Sequence, residues 1–285
     1  MKLSAYIATP LLFSAASVAA VARPSLRDRL LEARAAAPPG TLPARRLNST
    51  SNGDIKEVSA ATTQISENWA GASQGPPPSG TTYASVVGTW TIPTISIANQ
   101  DSVTYGLYSW VGIDGISGTG GLWQSGIWQE LEVDANGATT FSETIPWYCW
   151  YPSPCVYFSG LTTNPGDVVT VQVGVVSSSE GTIYFENVSS GQSLSFTVPN
   201  TVASEDLAAI NAEWIVEDTG IQGAPLPVFD SVVFTSCSAS YSNGATEGAT
   251  GALVWEVQNE STGNIDLTAS VLSDSSVEVV WAGAA

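Results

Sequence analysis

From Glu57 to Ala285 the chain has no lysine, no arginine and no histidine. All eight basic residues (Lys2, Arg23, Arg27, Arg29, Arg34, Arg45, Arg46 and Lys56) precede that point. Only three of the 26 acidic residues do so, namely Asp28, Glu32 and Asp54. At neutral pH the stretch from Glu57 onward therefore repels itself, with no side-chain cation to pair against. Acid protonates its carboxylates and relieves that repulsion, so the composition suits an acidic medium. The missing residue types also exclude much chemistry. Without histidine there is no Ser–His–Asp triad, no Cys–His dyad and no histidine-ligated zinc. Without lysine or arginine there is no Schiff base and no cationic clamp on phosphate, and nucleic acid is a poor electrostatic partner. Acid, base and oxyanion groups must come from carboxylates, amides, hydroxyls, thiols or the backbone. A surface adapted to acid, with no catalysis at all, satisfies the same composition.

Cysteine is scarce. Cys149, Cys155 and Cys237 make an odd count, which permits one internal bridge at most. Cys149 and Cys155 bracket a short loop that a bridge could staple in an exported protein, and Cys237 reads as a buried thiol. Three cysteines without histidine argue against a metal site, and no cofactor is expected. Long apolar runs are absent as well: beyond the first residues nothing approaches the ~18 uninterrupted apolar positions of a membrane span.

Residues 1–22 read as a secretory signal, with Lys2 at its start, an apolar stretch through Ala15–Ala20, and an A-x-A cleavage site at Ala20-Val21-Ala22. The expectation is a secreted, extracellular protein. Residues 23–56 form a basic second module, in which Pro24–Arg34 suits a short helix ended by Pro38-Pro39-Gly40. It reads as a removable propeptide, held on the anionic body by charge attraction as an intramolecular inhibitor and released when acid neutralises the body. The alternative is a disordered basic linker. Arg45-Arg46 and Lys56 are plausible processing points. Asn187-Val188-Ser189 and Asn259-Glu260-Ser261 are glycosylation sequons, and Asn48-Ser49-Thr50 would leave with the leader.

Residues 57–285 have the texture of short alternating runs between Gly, Pro, Ser and Asn clusters. Tyr83–Ile92, Val168–Val176, Thr182–Phe185, Ser193–Val198 and Ser276–Trp281 are rich in Thr, Val, Ile and aromatics, as strands favour. Asn136-Gly137 predicts a tight hairpin. Only Ser204–Ile210 hints at a helical turn. The pattern predicts one all-β domain, an antiparallel sandwich with no internal linker. Self-repulsion favours a monomer.

Four strings together resemble the glutamic peptidases of filamentous fungi, the eqolisin family. They are Asn68-Trp69-Ala70-Gly71-Ala72, Trp110-Val111-Gly112-Ile113-Asp114-Gly115, Leu122-Trp123-Gln124-Ser125-Gly126 and Asn211-Ala212-Glu213-Trp214-Ile215-Val216-Glu217-Asp218. Trp147-Tyr148-Cys149-Trp150-Tyr151-Pro152 is a fifth, imperfect match. Each string is weak alone, and five in order are specific. The resemblance implies an acid-acting endopeptidase on a concanavalin-like sandwich of two roughly seven-stranded sheets. It implies Gln124 and Glu213 as the catalytic pair and Trp69, Trp110 and Trp147 along a peptide-binding groove, with core packing the alternative for each tryptophan. Asp114 is read with these substrate-binding residues, hydrogen-bonding near the pair, or as a cap on the Asp114-Gly115 turn. Where the family has glutamate in the fifth string, this chain has Cys149, which removes a polar support near the site.

Peptide hydrolysis needs a base for water, a donor for the oxyanion and an acid for the leaving nitrogen. An ionised Glu213 can take the water proton and return it, while the Gln124 amide donates to the oxyanion at any acid pH. An ordinary histidine would be protonated in acid and useless as a base. Glu213 must then be held as the anion, for instance by hydrogen bonds from Gln124. In an extended strand Glu213, Ile215 and Glu217 share one face, as do Gln124 and Gly126, and Gly126 would leave room for a substrate backbone. Two other readings fit less of the sequence. A sandwich glycoside hydrolase could draw on Glu130, Glu132, Glu213 and Glu217, and a carbohydrate-binding domain could use tryptophan platforms. Neither accounts for Gln124 or the basic leader.

Overall fold

The computed structural model describes residues 43–46, 62–97, 104–116, 121–201, 206–218 and 225–283. The expected signal, the helix expected over Pro24–Arg34 and Lys56 lie outside them. The described residues form sixteen strands and no helix. In chain order these are β1 (Thr63–Ser66), β2 (Trp69–Gln74), β3 (Tyr83–Thr91), β4 (Thr104–Ile113), β5 (Leu122–Val133), β6 (Thr139–Tyr151), β7 (Val156–Tyr157) and β8 (Val168–Ser177). They continue as β9 (Glu180–Asn187), β10 (Gln192–Pro199), β11 (Ala212–Asp218), β12 (Ser231–Tyr241), β13 (Thr246–Glu247), β14 (Leu253–Gln258), β15 (Ile265–Ser273) and β16 (Ser276–Trp281).

Hydrogen bonding runs unbroken along β10-β9-β8-β3-β12-β16-β15-β14-β2-β11-β4-β5-β6-β7. Neighbours along that path are antiparallel, and only β1 pairs parallel, with β14. The path folds back on itself, so its first seven strands face its last seven. Three indole N–H groups donate across the gap: Trp214 to Val87 O (2.8 Å), Trp90 to Ser109 Oγ (3.1 Å) and Trp123 to Thr182 O (3.3 Å). The two expected seven-stranded layers are there, joined along β14–β15 rather than separate. Trp90, Trp123, Trp214, Val111, Phe185 and Phe234 fill the space between them.

Local signals explain the boundaries. Asn136-Gly137 forms the turn between β5 and β6, with Gly137 at φ 79° and the Asp134 carboxylate accepting from the N–H groups of Asn136 and Ala138. The helical turn expected before Ile210 is not formed over its described part, residues 206–210. There Leu207 N–H donates to Ser178 O, Ala209 takes a left-handed φ of 53°, and the N–H groups of Ala209 and Ile210 go to the Asp114 carboxylate instead of to a helical turn. The sequon residue Asn187 is buried in β9, and its amide nitrogen donates to Thr162 O and Asp167 Oδ2, both at 2.9 Å. That nitrogen is not available to a glycan in this fold, whereas Asn259 is only partly buried.

A second aromatic cluster occupies the other face of the layer β14-β2-β11-β4-β5-β6. It contains Trp69, Tyr108, Trp110, Trp128, Trp147 and Trp255. The alternation read from the sequence holds. Trp214, Val216 and Trp123 point between the layers, and Ile215 lies in the outer cluster.

Candidate active site

Register places the two residues singled out as catalytic. Across β2, β11, β4, β5 and β6, Ser73 pairs with Glu213, Glu213 with Gly112, Gly112 with Gln124, and Gln124 with Cys149. Glu213 and Gln124 thus point to the same side from two strands separated by one, with backbones roughly 9–10 Å apart. Between them stands Gly112. A Cβ there would come within 2.6 Å of the Trp110 ring and 3.4 Å of Gln124 Cβ. Its missing side chain is what leaves the space over which the carboxyl and the amide face each other.

The neighbouring rows build the surroundings. Gly71, Ile215, Trp110, Gly126 and Trp147 form the next row, and Trp69, Glu217, Tyr108, Trp128 and Ile145 the one beyond. Trp69 meets Trp110 edge-on at 4.9 Å between ring centroids and Trp255 at 6.2 Å. Trp147 meets Tyr108 edge-on at 5.0 Å. The Trp110 indole donates to Glu217 Oε2 (3.0 Å), and the Asn68 amide donates to Glu217 Oε1 (3.4 Å). Gly126 does not open the groove as expected. A Cβ on it would strike Ser109 O at 2.1 Å, so this glycine lets β4 and β5 approach closely.

Glu213 and Gln124 are both fully buried. Neither Glu213 oxygen has a hydrogen-bond partner among the described residues. The expected hydrogen bond from Gln124 to Glu213 is therefore not made, and the anion is not favoured. Burial pushes the Glu213 carboxyl well above its usual range, and the nearby Asp114 charge adds to the shift. The neutral form of this carboxyl is thereby favoured to a higher pH than for an exposed glutamate. The Trp147 indole N–H is likewise buried and without a partner among the described residues. Unpaired buried polar atoms are rare in folded proteins, and those of Glu213 and Trp147 share one face.

Asp114 ends β4 at φ 69°, and its carboxylate faces the backbone rather than open groove. It accepts from Ala209 N (2.7 Å), Ile210 N (2.8 Å) and Asn211 N (3.3 Å), the residues leading into β11. Burial raises its pKa, and these N–H groups oppose the rise. Asp114 thereby fixes the approach of the strand that carries Glu213.

Part of the basic leader lies on the same face. Ala44 packs against the outer aromatic cluster, and its N–H donates to Gly115 O (3.1 Å). Asn68 Oδ1 accepts from Arg45 N (3.0 Å), and Asn68 Nδ2 donates to Pro43 O (3.3 Å). Arg45 pairs with Glu67 at 3.1 Å, and the Arg46 guanidinium lies 5.3 Å from the centre of the Trp255 ring. Sequence reasoning missed Ser73, whose hydroxyl accepts from the Trp255 indole at 2.8 Å. Its place two residues past Gly71, on the face of Glu213, was the available signal.

Residues 67–281 match the model of the peptidase A4 family. The chain belongs to this family. It is 33% identical to Aspergillopepsin-2 of Aspergillus niger over 300 residues, covering 99% of this chain and 100% of that protein. Among solved structures, scytalido-glutamic peptidase with a transition-state analog inhibitor is similar at a TM-score of 0.60 and 26% identity. That similarity covers 75% of this chain and 98% of the other. A second, an eqolisin-family peptidase complexed with the tripeptide Ala-Ile-His, has a TM-score of 0.57 and 25% identity, with the same coverage. The peptidase A4 chain described here is thus a glutamic-type peptide hydrolase, and the glycosidase and carbohydrate-binding readings fall away.

Proposed function

We propose that this peptidase is secreted and cleaves proteins internally in acid, using Glu213 as base and then acid, and Gln124 as oxyanion donor. The observation that carries the reading is the single row Glu213–Gly112–Gln124, with a buried carboxyl that no described residue engages. A peptide carbonyl seated over Gly112 would have the Gln124 amide on one side and a Glu213-bound water on the other. Glu213 removes a proton from that water as it attacks, Gln124 stabilises the oxyanion, and the proton passes from Glu213 to the leaving nitrogen. Trp69, Trp110 and Trp147 supply apolar walls that position substrate and thin out water. Asp114 acts at one remove, by holding residues 209–211.

The raised Glu213 pKa belongs to the covered state. Residues 43–46 dock on the Trp69–Trp255 face through backbone hydrogen bonds, one ion pair and one cation–π contact, which supports the leader as an inhibitor seated at the groove. Acid protonates Glu67 and frees Arg45, and cleavage beside Arg45-Arg46 then removes the strap. Water returns, the desolvation that holds Glu213 neutral weakens, and the carboxyl moves back toward its usual value of about 4.3. The test is digestion of a denatured protein at low pH by wild type, Glu213→Gln and Gln124→Ala. Internal cleavage lost in both variants supports the dyad, and cleavage retained in Glu213→Gln removes that residue from the chemistry. Sequencing the mature N-terminus of the secreted protein tests processing.

A further inference from the structure

Strands β6 and β7 pair antiparallel, with Trp147 opposite Tyr157 and Tyr148 opposite Val156. Cys155 directly precedes β7, and one step further in the same register would set Cys149 opposite Cys155. Phe158 N–H donates to Pro146 O (3.0 Å), which marks that pair as hydrogen-bonded. Hydrogen-bonded and non-hydrogen-bonded pairs alternate along an antiparallel ladder, so Cys149 and Cys155 fall at a non-hydrogen-bonded position. Partners there stand about 4.5 Å apart at Cα, inside the span of roughly 4.4–6.8 Å that a disulfide bridges. Directly opposed side chains share a face. Accordingly Cys149 belongs to the outer aromatic cluster and Cys155 packs against it.

We propose that Cys149 and Cys155 are a thiol–disulfide site that clamps the edge strand of the groove beside Gln124. Both carry thiols in this structure, and the Cys149 thiol donates to Ser153 O at 3.3 Å. Cys149 stands on the row of Gln124, one strand away. The edge strand β7 has two residues and two ladder pairs. Tyr157 on β7 and Tyr151 at the end of β6 both pack against the outer aromatic cluster. A bond at this point ties that wall to β6.

The oxidant is a small or protein disulfide met during export, such as glutathione disulfide. The Cys155 thiolate, on the more accessible of the two residues, attacks that disulfide and expels one thiolate. Cys149 as thiolate then attacks the mixed disulfide at the Cys155 sulfur and expels the second. Two protein thiols become one disulfide, the oxidant becomes two thiols, and the two protons end on the departing thiolates. Cys237 takes no part. It lies in the other cluster, between the layers, and burial pushes its thiol up to about 12, which suppresses thiolate.

The bond is tested on the secreted wild-type protein, denatured in acid without reductant, treated with N-ethylmaleimide and mapped by mass spectrometry. The expected result is label on Cys237 alone and one peptide pair crosslinked through Cys149 and Cys155. Label on all three cysteines overturns the proposal, as does a crosslink that includes Cys237. The effect on the groove rests on the peptidase reading and is measured separately, after reduction with a water-soluble phosphine at acid pH and in Cys155→Ser. KM for a peptide substrate rises several-fold with kcat retained if the clamp positions the wall. Unchanged kinetics refute the clamp even where the disulfide is mapped.

Discussion

Replacing Glu213 by glutamine should alter stability and activity in opposite senses. Unfolded, this carboxyl ionises near pH 4.3 as any glutamate does. Folded, with residues 43–46 docked, burial holds it neutral to a pH well above that. Below the unfolded value both states carry the proton, and the contribution to stability is at its full size. Above it the unfolded chain releases a proton that the folded chain keeps. Stability therefore falls as pH rises, by about 1.4 kcal/mol per pH unit, until the folded-state carboxyl also ionises. Glutamine has the same shape and no proton to lose. Urea unfolding of the full chain at a series of pH values should show wild type and Glu213→Gln within about 1 kcal/mol of each other near pH 4. As the pH rises past the unfolded value the variant should become progressively more stable than wild type, by at most about 1.4 kcal/mol per pH unit. Glu67, Asp114 and Glu256 are shifted upward too, with burial the leading cause, and add the same slope to both proteins. Only the difference between the proteins reports on Glu213. Parallel profiles across the range would refute the reasoning, because they would mean the carboxyl is solvated or paired. In peptide cleavage at low pH the same variant should lose roughly 10³-fold in kcat/KM.

Gln124→Ala should lower kcat by roughly 10²–10³ with KM little changed, since its amide acts on charge that develops only in the transition state. Arg45→Ala with Arg46→Ala removes a partly exposed ion pair and a cation–π contact, together worth about 1–2 kcal/mol, so unprocessed protein should show roughly tenfold more peptide cleavage near neutral pH. Unchanged latency would mean that the backbone contacts of Pro43 and Ala44 suffice. Asp114→Ala leaves the N–H groups of Ala209 and Ile210 without their acceptor, costs about 1–3 kcal/mol in urea unfolding, and should lower kcat more than it raises KM. Cys155→Ser, by opening a loop of about seven residues, should lower the stability of the oxidised protein by about 2 kcal/mol.

The fold class was legible because a half-buried strand alternates, and β3, β8, β9, β10 and β16 all do. The proposed catalytic pair was singled out through short strings around Gln124 and Glu213, and register sets the two on one face. What local sequence does not encode is which strands lie side by side. Nothing near residue 112 announces that Gly112 would separate Gln124 from Glu213. The expected hydrogen bond between Gln124 and Glu213 failed for the same reason. Alternation gives the face of a side chain, and whether two residues on that face touch depends on the strand between them. The leader was read through its charge alone. Its docking uses backbone groups of Pro43, Ala44 and Arg45 as well, and those are invisible to composition.

Five row residues, Ser73, Gly112, Gln124, Cys149 and Glu213, come from stretches of chain far apart, so their meeting depends on register, and register depends on the opposite face. Each has a chain neighbour that points between the layers: Ala72, Val111, Trp123, Trp150 and Trp214. Trp123 and Trp150 pack with ring centroids 4.9 Å apart, and Trp214 is anchored by its hydrogen bond to Val87. A one-residue slip of β11 or β5 would turn these indoles out and drive Glu213 or Gln124 into the dry space between layers. Burying an unpaired carboxyl or amide there is costly, and the indoles would lose the partners of their N–H groups. On the proposed dyad, the tryptophans between the layers would act on catalysis without approaching a substrate, because they fix the strand alignment that brings the carboxyl and the amide to either side of Gly112. Trp214→Phe removes the donor to Val87 while keeping most of the ring, so it separates this alignment from simple packing. A loss in kcat beyond what the change in stability accounts for would trace to register, and a loss that follows stability alone would assign Trp214 to packing only.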